Sequence, residues 1–169
     1  MKNFLIFLTA GTVFFVPFFV FSANDLVGVN CKEVYPGWNG SVGDRVNLVF
    51  LASGFDDEQI FLNSIKNLVN KDDESNSFLS YEPLKSNKNK INFWYVNKNL
   101  GTSYVLGSGS QNECIIPSNL RVNIGVNPRY GGHATSAIKY INLGVLNGTP
   151  AVLFHEFGHA FANLQDEYD

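Results

Sequence analysis

His155 and His159 stand four residues apart near the C-terminal end of the chain, with Glu156 beside the first of them, in the run Phe154-His155-Glu156-Phe157-Gly158-His159. On an α-helix, residues four apart lie on one face, about 6 Å apart along the axis, so both imidazoles can turn a nitrogen onto one metal ion. Zn2+ is the ion this His-Glu-x-x-His spacing suits. With one further protein ligand, a fourth position stays open for water, whose pKa zinc lowers to about 7. Glu156 can then take a proton from water and pass it to a leaving amine while the metal polarises the scissile carbonyl, a combination suited to amide hydrolysis. The expected third ligand is Asp166, with Glu167 as the alternative. On an uninterrupted helix Asp166 would lie about 10 Å beyond His159, too far to share the ion, so the helix must end early. Asn163, a residue type that tolerates a left-handed conformation, is where the chain is expected to reverse.

The element that must position these residues is well specified. Thr149 can cap a helix, Pro150 fits the first helical position, and residues 151–162 contain one poor helix former, Gly158. Leu153, Phe154, Phe157 and Phe161 lie on the side away from the metal and are expected to fill a core. The competing reading is a helix whose histidines merely pack or hydrogen-bond, which the capping and the spacing together disfavour.

The segment His155-Glu156-Phe157-Gly158-His159-Ala160-Phe161-Ala162-Asn163-Leu164-Gln165-Asp166-Glu167-Tyr168 resembles the signature of the M64 metallopeptidases, the IgA peptidase family. The stretch Asp44-Arg45-Val46-Asn47-Leu48-Val49-Phe50-Leu51-Ala52-Ser53-Gly54-Phe55 is similar to that family's first strand, and Val126-Asn127-Pro128-Arg129-Tyr130-Gly131-Gly132 to its strand with a Tyr-Gly-Gly rim. The likeness covers about residues 44–168. It departs at Ala52-Ser53-Gly54-Phe55, where the family carries an acidic turn, and at Ala162-Asn163, where a glycine-containing pair is common; neither departure removes a motif His or Glu. The resemblance implies a zinc-dependent endopeptidase acting on proteins or peptides. It also implies an α/β, metzincin-like zincin catalytic domain, with a twisted mixed sheet, a backing helix and a zinc-site helix. Tyr130, Gly131 and Gly132 are the expected rim that contacts substrate, the glycines allowing close backbone approach. A catalytically inactive relative that binds a protein or glycoprotein is the alternative function.

The remaining chain fits that expectation. Met1-Lys2-Asn3, an apolar run over residues 4–21 and small residues at Ser22-Ala23 read as a signal peptide over 1–23, or as an N-terminal anchor, so the protein is expected to be secreted or held in the cell envelope. Residues 24–43 form a turn-rich lead-in, and 44–169 are expected to be the N-terminal part of a catalytic domain that continues beyond the zinc motif. A formal net charge of −3 with 16% charged residues provides no basic surface, which disfavours nucleic-acid binding. Cys31 and Cys114 are the only cysteines. In an oxidising compartment they can pair; two buried thiols, or a Cys31 contact to zinc, are the other possibilities.

Residues 44–52 read as a strand buried on both faces, and Asp56-Asp57-Glu58 starts a helix with Ile60, Phe61, Ile65, Leu68 and Val69 at helical spacing. The following acidic stretch around Asp72-Asp73-Glu74 reads as a solvated loop in preference to a calcium site. Residues 91–96 form a second strand and 101–114 a Gly/Ser-rich loop. Residues 120–127 alternate Leu120, Val122, Ile124, Val126 against Arg121, Asn123, Asn127, which predicts a strand with an open face, along which an extended substrate is expected to pair. His133 reads as an exposed loop histidine, with a contact to substrate as the alternative.

Overall fold

The computed structural model describes residues 4–9, 12–17, 31–96, 114, 116, 120–126, 132–146 and 148–165. Strands β1 (Phe4–Thr9) and β2 (Thr12–Pro17) pair antiparallel in a sheet of their own. They fall within the expected signal-peptide span, the rest of which lies outside the described residues. No helix among the described residues is long and apolar enough to cross a membrane.

The main element is a six-stranded mixed sheet in the order β3-β5-β4-β6-β8-β7. Its strands are β3 (Cys31–Glu33), β4 (Val46–Ser53), β5 (Ile91–Val96), β6 (Leu120–Gly125), β7 (Gly132–Thr135) and β8 (Tyr140–Gly144). The four central strands run parallel, and an antiparallel strand closes each edge, β3 on β5 and β7 on β8. Helices α1 (Glu58–Leu68) and α2 (Pro150–Ala162) complete a mixed α/β architecture.

Both helices cover one face of the sheet. Phe61, Ile65 and Leu68 of α1 and Leu153, Phe157 and Ala160 of α2 share a core with Leu48, Phe50, Ala52, Leu120, Val122, Ile124, Ile141 and Leu143. Burial of each of these side chains larger than alanine contributes roughly 1.5–3 kcal/mol, which holds the helices far more strongly than propensity does. Asp57 caps α1 by accepting the Ile60 N–H at 2.9 Å, the start the acidic run announced. Asp73 accepts from the Ser75 and Asn76 N–H groups and from the Ser75 hydroxyl, so the loop after α1 closes as a turn on its own side chain. Those bonds hold the Asp73 carboxyl below the usual carboxylate range.

The second face of the sheet divides in two. Toward β3 it is apolar, with Val49, Leu51, Trp94 and Val96 packed beneath Ile116 and the Cys31–Cys114 disulfide. The disulfide removes the free-thiol and zinc-contact possibilities for Cys31. Asn47 is fully buried here and satisfied: it donates to the Val42 and Arg45 carbonyls and accepts from Asn92 and from the Trp94 indole. Toward β7 the face is polar, with Asn123 donating to Asn142 at 2.9 Å.

Two expectations need correction. β6 is an interior strand, paired with β4 on one side and β8 on the other, so it has no free edge for a substrate. Its alternation arises because one side faces the helices and the other faces the polar half of the second face. Val126 lies past its end and is 46% exposed. In addition, Phe161 is 39% exposed, stacked on Phe157, while the buried stripe of α2 runs through Pro150, Leu153, Glu156, Phe157 and Ala160.

Candidate metal centre

The described residues of the site come from β7, the start of the turn that follows it at Ser136, α2 and the turn after α2. α2 begins as its sequence dictates: the Thr149 hydroxyl accepts the Val152 N–H at 3.2 Å, and Pro150 occupies the first turn. It ends at Asn163, which adopts the left-handed conformation (φ 56°, ψ 35°). There the Asn163 N–H donates to the His159 carbonyl at 3.1 Å and the Leu164 N–H to the Gly158 carbonyl at 3.2 Å. The expected reversal therefore occurs at the expected residue, and it is tight enough to lay Leu164 over Gly158, where an added Cβ would meet Leu164 Cδ1 at 3.2 Å.

The reversal has a chemical consequence. It brings the Leu164 carbonyl to 2.6 Å from His159 Nδ1. A carbonyl can only accept, so Nδ1 carries a proton, and in the neutral ring that leaves the lone pair on Nε2. That Nε2 stands 3.0 Å from Nε2 of His155, with the two rings 4.5 Å apart and nearly perpendicular. Two nitrogens each bound to one tetrahedral zinc at about 2.05 Å would be separated by about 3.3 Å, so the observed spacing is close to the one a shared ion requires. A backbone carbonyl on the far nitrogen is also the usual device that fixes a ligating imidazole. The donor set thus fits two-thirds of a zinc site. Among the described residues, no group of three or more His, Cys, Asp or Glu side chains converges to hold a metal. Asp166, the expected third ligand, and its alternative Glu167 lie outside the described residues.

Glu156 is 8% exposed and turned toward the sheet edge. It faces Gly132, the first residue of β7. Between α2 and β7 opens a cleft of about 440 Å³ lined by Gly132, His133, Ala134, His155, Glu156 and His159, with Gln165 returning to its wall after the reversal. His155 is exposed to this cleft and His159 half-buried. Of the expected rim, Gly132 is in the cleft, while Tyr130 and Gly131 lie outside the described residues. His133 is exposed, on a strand and not in a loop.

β7 itself escaped sequence reasoning. Its four residues Gly-His-Ala-Thr have two weak strand formers and no apolar alternation, and only pairing with β8 makes them a strand. Among the described residues β7 pairs on one side only, so the outer edge of the sheet borders the cleft. A smaller, more apolar hollow of about 280 Å³ between the C-terminal half of α1 and the start of α2 has no titratable side chain and lies away from the histidines. No family model matches the chain, and no curated protein matches it.

Proposed function

We propose that this chain is a zinc-dependent endopeptidase of metzincin-like fold, similar to the M64 metallopeptidases, and that it works outside the cytoplasm. The observation that carries the reading is the convergence of His155 Nε2 and His159 Nε2 at 3.0 Å, with His159 fixed by the Leu164 carbonyl, on a cleft that also holds the Glu156 carboxylate. His155 and His159 would hold the ion, and Asp166, three residues beyond the reversal at Asn163, would supply the third bond. Zinc bound there supplies a Lewis acid that acidifies water and polarises a carbonyl. Glu156 accepts the proton from the attacking water and returns it to the departing amine, a shuttle worth about 10²–10⁴-fold in rate. An extended peptide is held by main-chain pairing along the outer edge of β7, which among the described residues has no strand beside it, and this explains how a strand of such plain sequence could serve many substrates. Both helices on one sheet face, and an antiparallel edge strand beside the zinc helix, support the metzincin-like assignment. The Cys31–Cys114 disulfide suits an oxidising compartment.

The test is zinc stoichiometry and cleavage of a mixed peptide library by the purified protein and two variants. Glu156→Ala should keep zinc and lose cleavage at least 100-fold. Asp166→Ala should weaken zinc binding at least tenfold. Undiminished cleavage by Glu156→Ala would refute the mechanism. Zinc bound with no peptide cleaved by the wild-type protein would instead favour a binding module.

A further inference from the structure

We propose that Gly132 is a positioning residue for the Glu156 carboxylate, an inference that rests on reading Glu156 as the base. A Cβ built on Gly132 would lie 2.7 Å from Glu156 Oε1, 2.9 Å from Glu156 Cγ and 2.7 Å from Val152 Cγ1, all closer than real Cβ contacts come. Gly132 does not share the positive φ of Gly37 and Gly54, so its backbone does not demand glycine. What demands it is space. The absent side chain lets α2 settle against β7 until the Glu156 carboxylate touches the strand, with Val152 closing the same contact one helical turn earlier.

The contact limits what the carboxylate can do. A glutamate on an open helix face samples many rotamers, whereas here the Gly132 main chain closes one side of Glu156, which is 8% exposed. Val152 cannot yield easily either, because a β-branched side chain in a helix has essentially one rotamer. A peptide paired to the outer edge of β7 would run about 4.8 Å from the Gly132 main chain. The orientation of the base and the register of the substrate would then be referred to the same residue, so β7 would do two jobs at once. Alanine at this position would swing Glu156 aside or push the helix off the strand, and displacing a catalytic group by about 1 Å can cost about 100-fold in rate.

Two sets of measurements test this. In the metal-free protein, melting temperatures are compared for Gly132→Ala, Glu156→Ala, Val152→Ala and the two doubles that contain Gly132→Ala. Gly132→Ala should lower the melting temperature, and either second substitution should recover part of the loss, because each removes atoms the new methyl strikes. Strictly additive shifts would overturn the contact, whatever the protein's activity. In the zinc-loaded protein, Gly132→Ala/Val152→Ala should regain stability and retain zinc, yet show kcat lowered about 100-fold with KM changed less than about threefold. Wild-type kcat in that double, with the wild-type protein active, would overturn the positioning role and leave the zinc-peptidase reading standing. An inert wild-type protein would overturn that reading and with it the base-positioning role, while the melting temperatures would still decide the contact.

Discussion

Replacing Asn163 with valine should damage both the fold and the proposed metal centre, by amounts that follow from one hinge. Asn163 sits at φ 56°, ψ 35°, and its turn carries two capping bonds of 3.1 and 3.2 Å. A left-handed conformation costs an ordinary L-residue roughly 1–2 kcal/mol, and a β-branched one is a true outlier there. The chain can escape that strain only by opening the cap, at about 0.5–1.5 kcal/mol for each bond lost. The two routes together bracket a loss of about 1–3 kcal/mol, or roughly 3–9 °C in the melting temperature of a domain this size. Opening the cap also withdraws the Leu164 carbonyl from His159 Nδ1, now at 2.6 Å. Loss of such an orienting partner typically weakens a metal site 10–100-fold. Asn163→Gly, which adopts the same conformation without a Cβ, should keep both the stability and the zinc affinity. Thermal unfolding of the metal-free protein gives the first quantity, and competition with a chromogenic chelator gives the second. A valine variant that melts early but binds zinc as tightly as wild type would show that the carbonyl does not orient His159. Equal weakening by glycine and valine would show that the left-handed turn is not the cause.

Breaking the Cys31–Cys114 link by serine substitution at both positions should cost about 2–5 kcal/mol, since the bond spans 83 residues, while zinc affinity stays unchanged because β3 lies at the sheet edge opposite β7; chemical unfolding and chelator competition on the same protein check both halves. Tyr95 should ionise well above the ordinary tyrosine pKa of 10, because burial disfavours the phenolate and its hydroxyl donates to Glu58 at 2.8 Å. Its folded-state pKa is raised, so the associated stability is fully present below pH 10 and is lost as pH rises beyond it. Alkaline absorbance titration of wild type against Tyr95→Phe should show one late phenol missing in the variant, and a Tyr95 that titrates near 10 would contradict the burial argument.

Local rules made the helices legible. Thr149, Pro150 and Asn163 each fix a backbone state on their own, and the structure puts α2 between them. The buried strand β4 was equally plain, with six consecutive buried residues of which all but Asn47 are apolar. Pairing order was not legible, because the alternation of Leu120, Val122 and Ile124 against Arg121 and Asn123 reports two different surroundings and carries no information on whether an edge is free. β3 and β7 were missed for a related reason. Cys31-Lys32-Glu33 and Gly132-His133-Ala134-Thr135 are short strands of low intrinsic preference, formed by partners elsewhere in the sequence, as far as Cys31 from Val96, and by the disulfide or the helix packed on them. Edge strands of this kind are tertiary products, and propensity cannot see them.

Almost the whole described site lies in the stretch from Gly132 to Gln165, a hairpin followed by a helix, so its geometry depends on one register. β7 and β8 pair with Gly132 opposite Leu143 and Thr135 opposite Tyr140, around a turn in which Lys139 is left-handed and sends its Nζ to the Phe161 carbonyl at 3.2 Å. Ala134 packs on the helix-side core and Gly132 faces Glu156, which sends His133 and Thr135 to the other face. A slip of one residue would invert that alternation and bring His133 toward α2. There is no room for it, since a single methyl at Gly132 already falls 2.7 Å from both Glu156 and Val152. The zinc-motif helix therefore selects the hairpin register that leaves it a glycine to rest on, and the same selection leaves the outer edge of β7 facing the cleft.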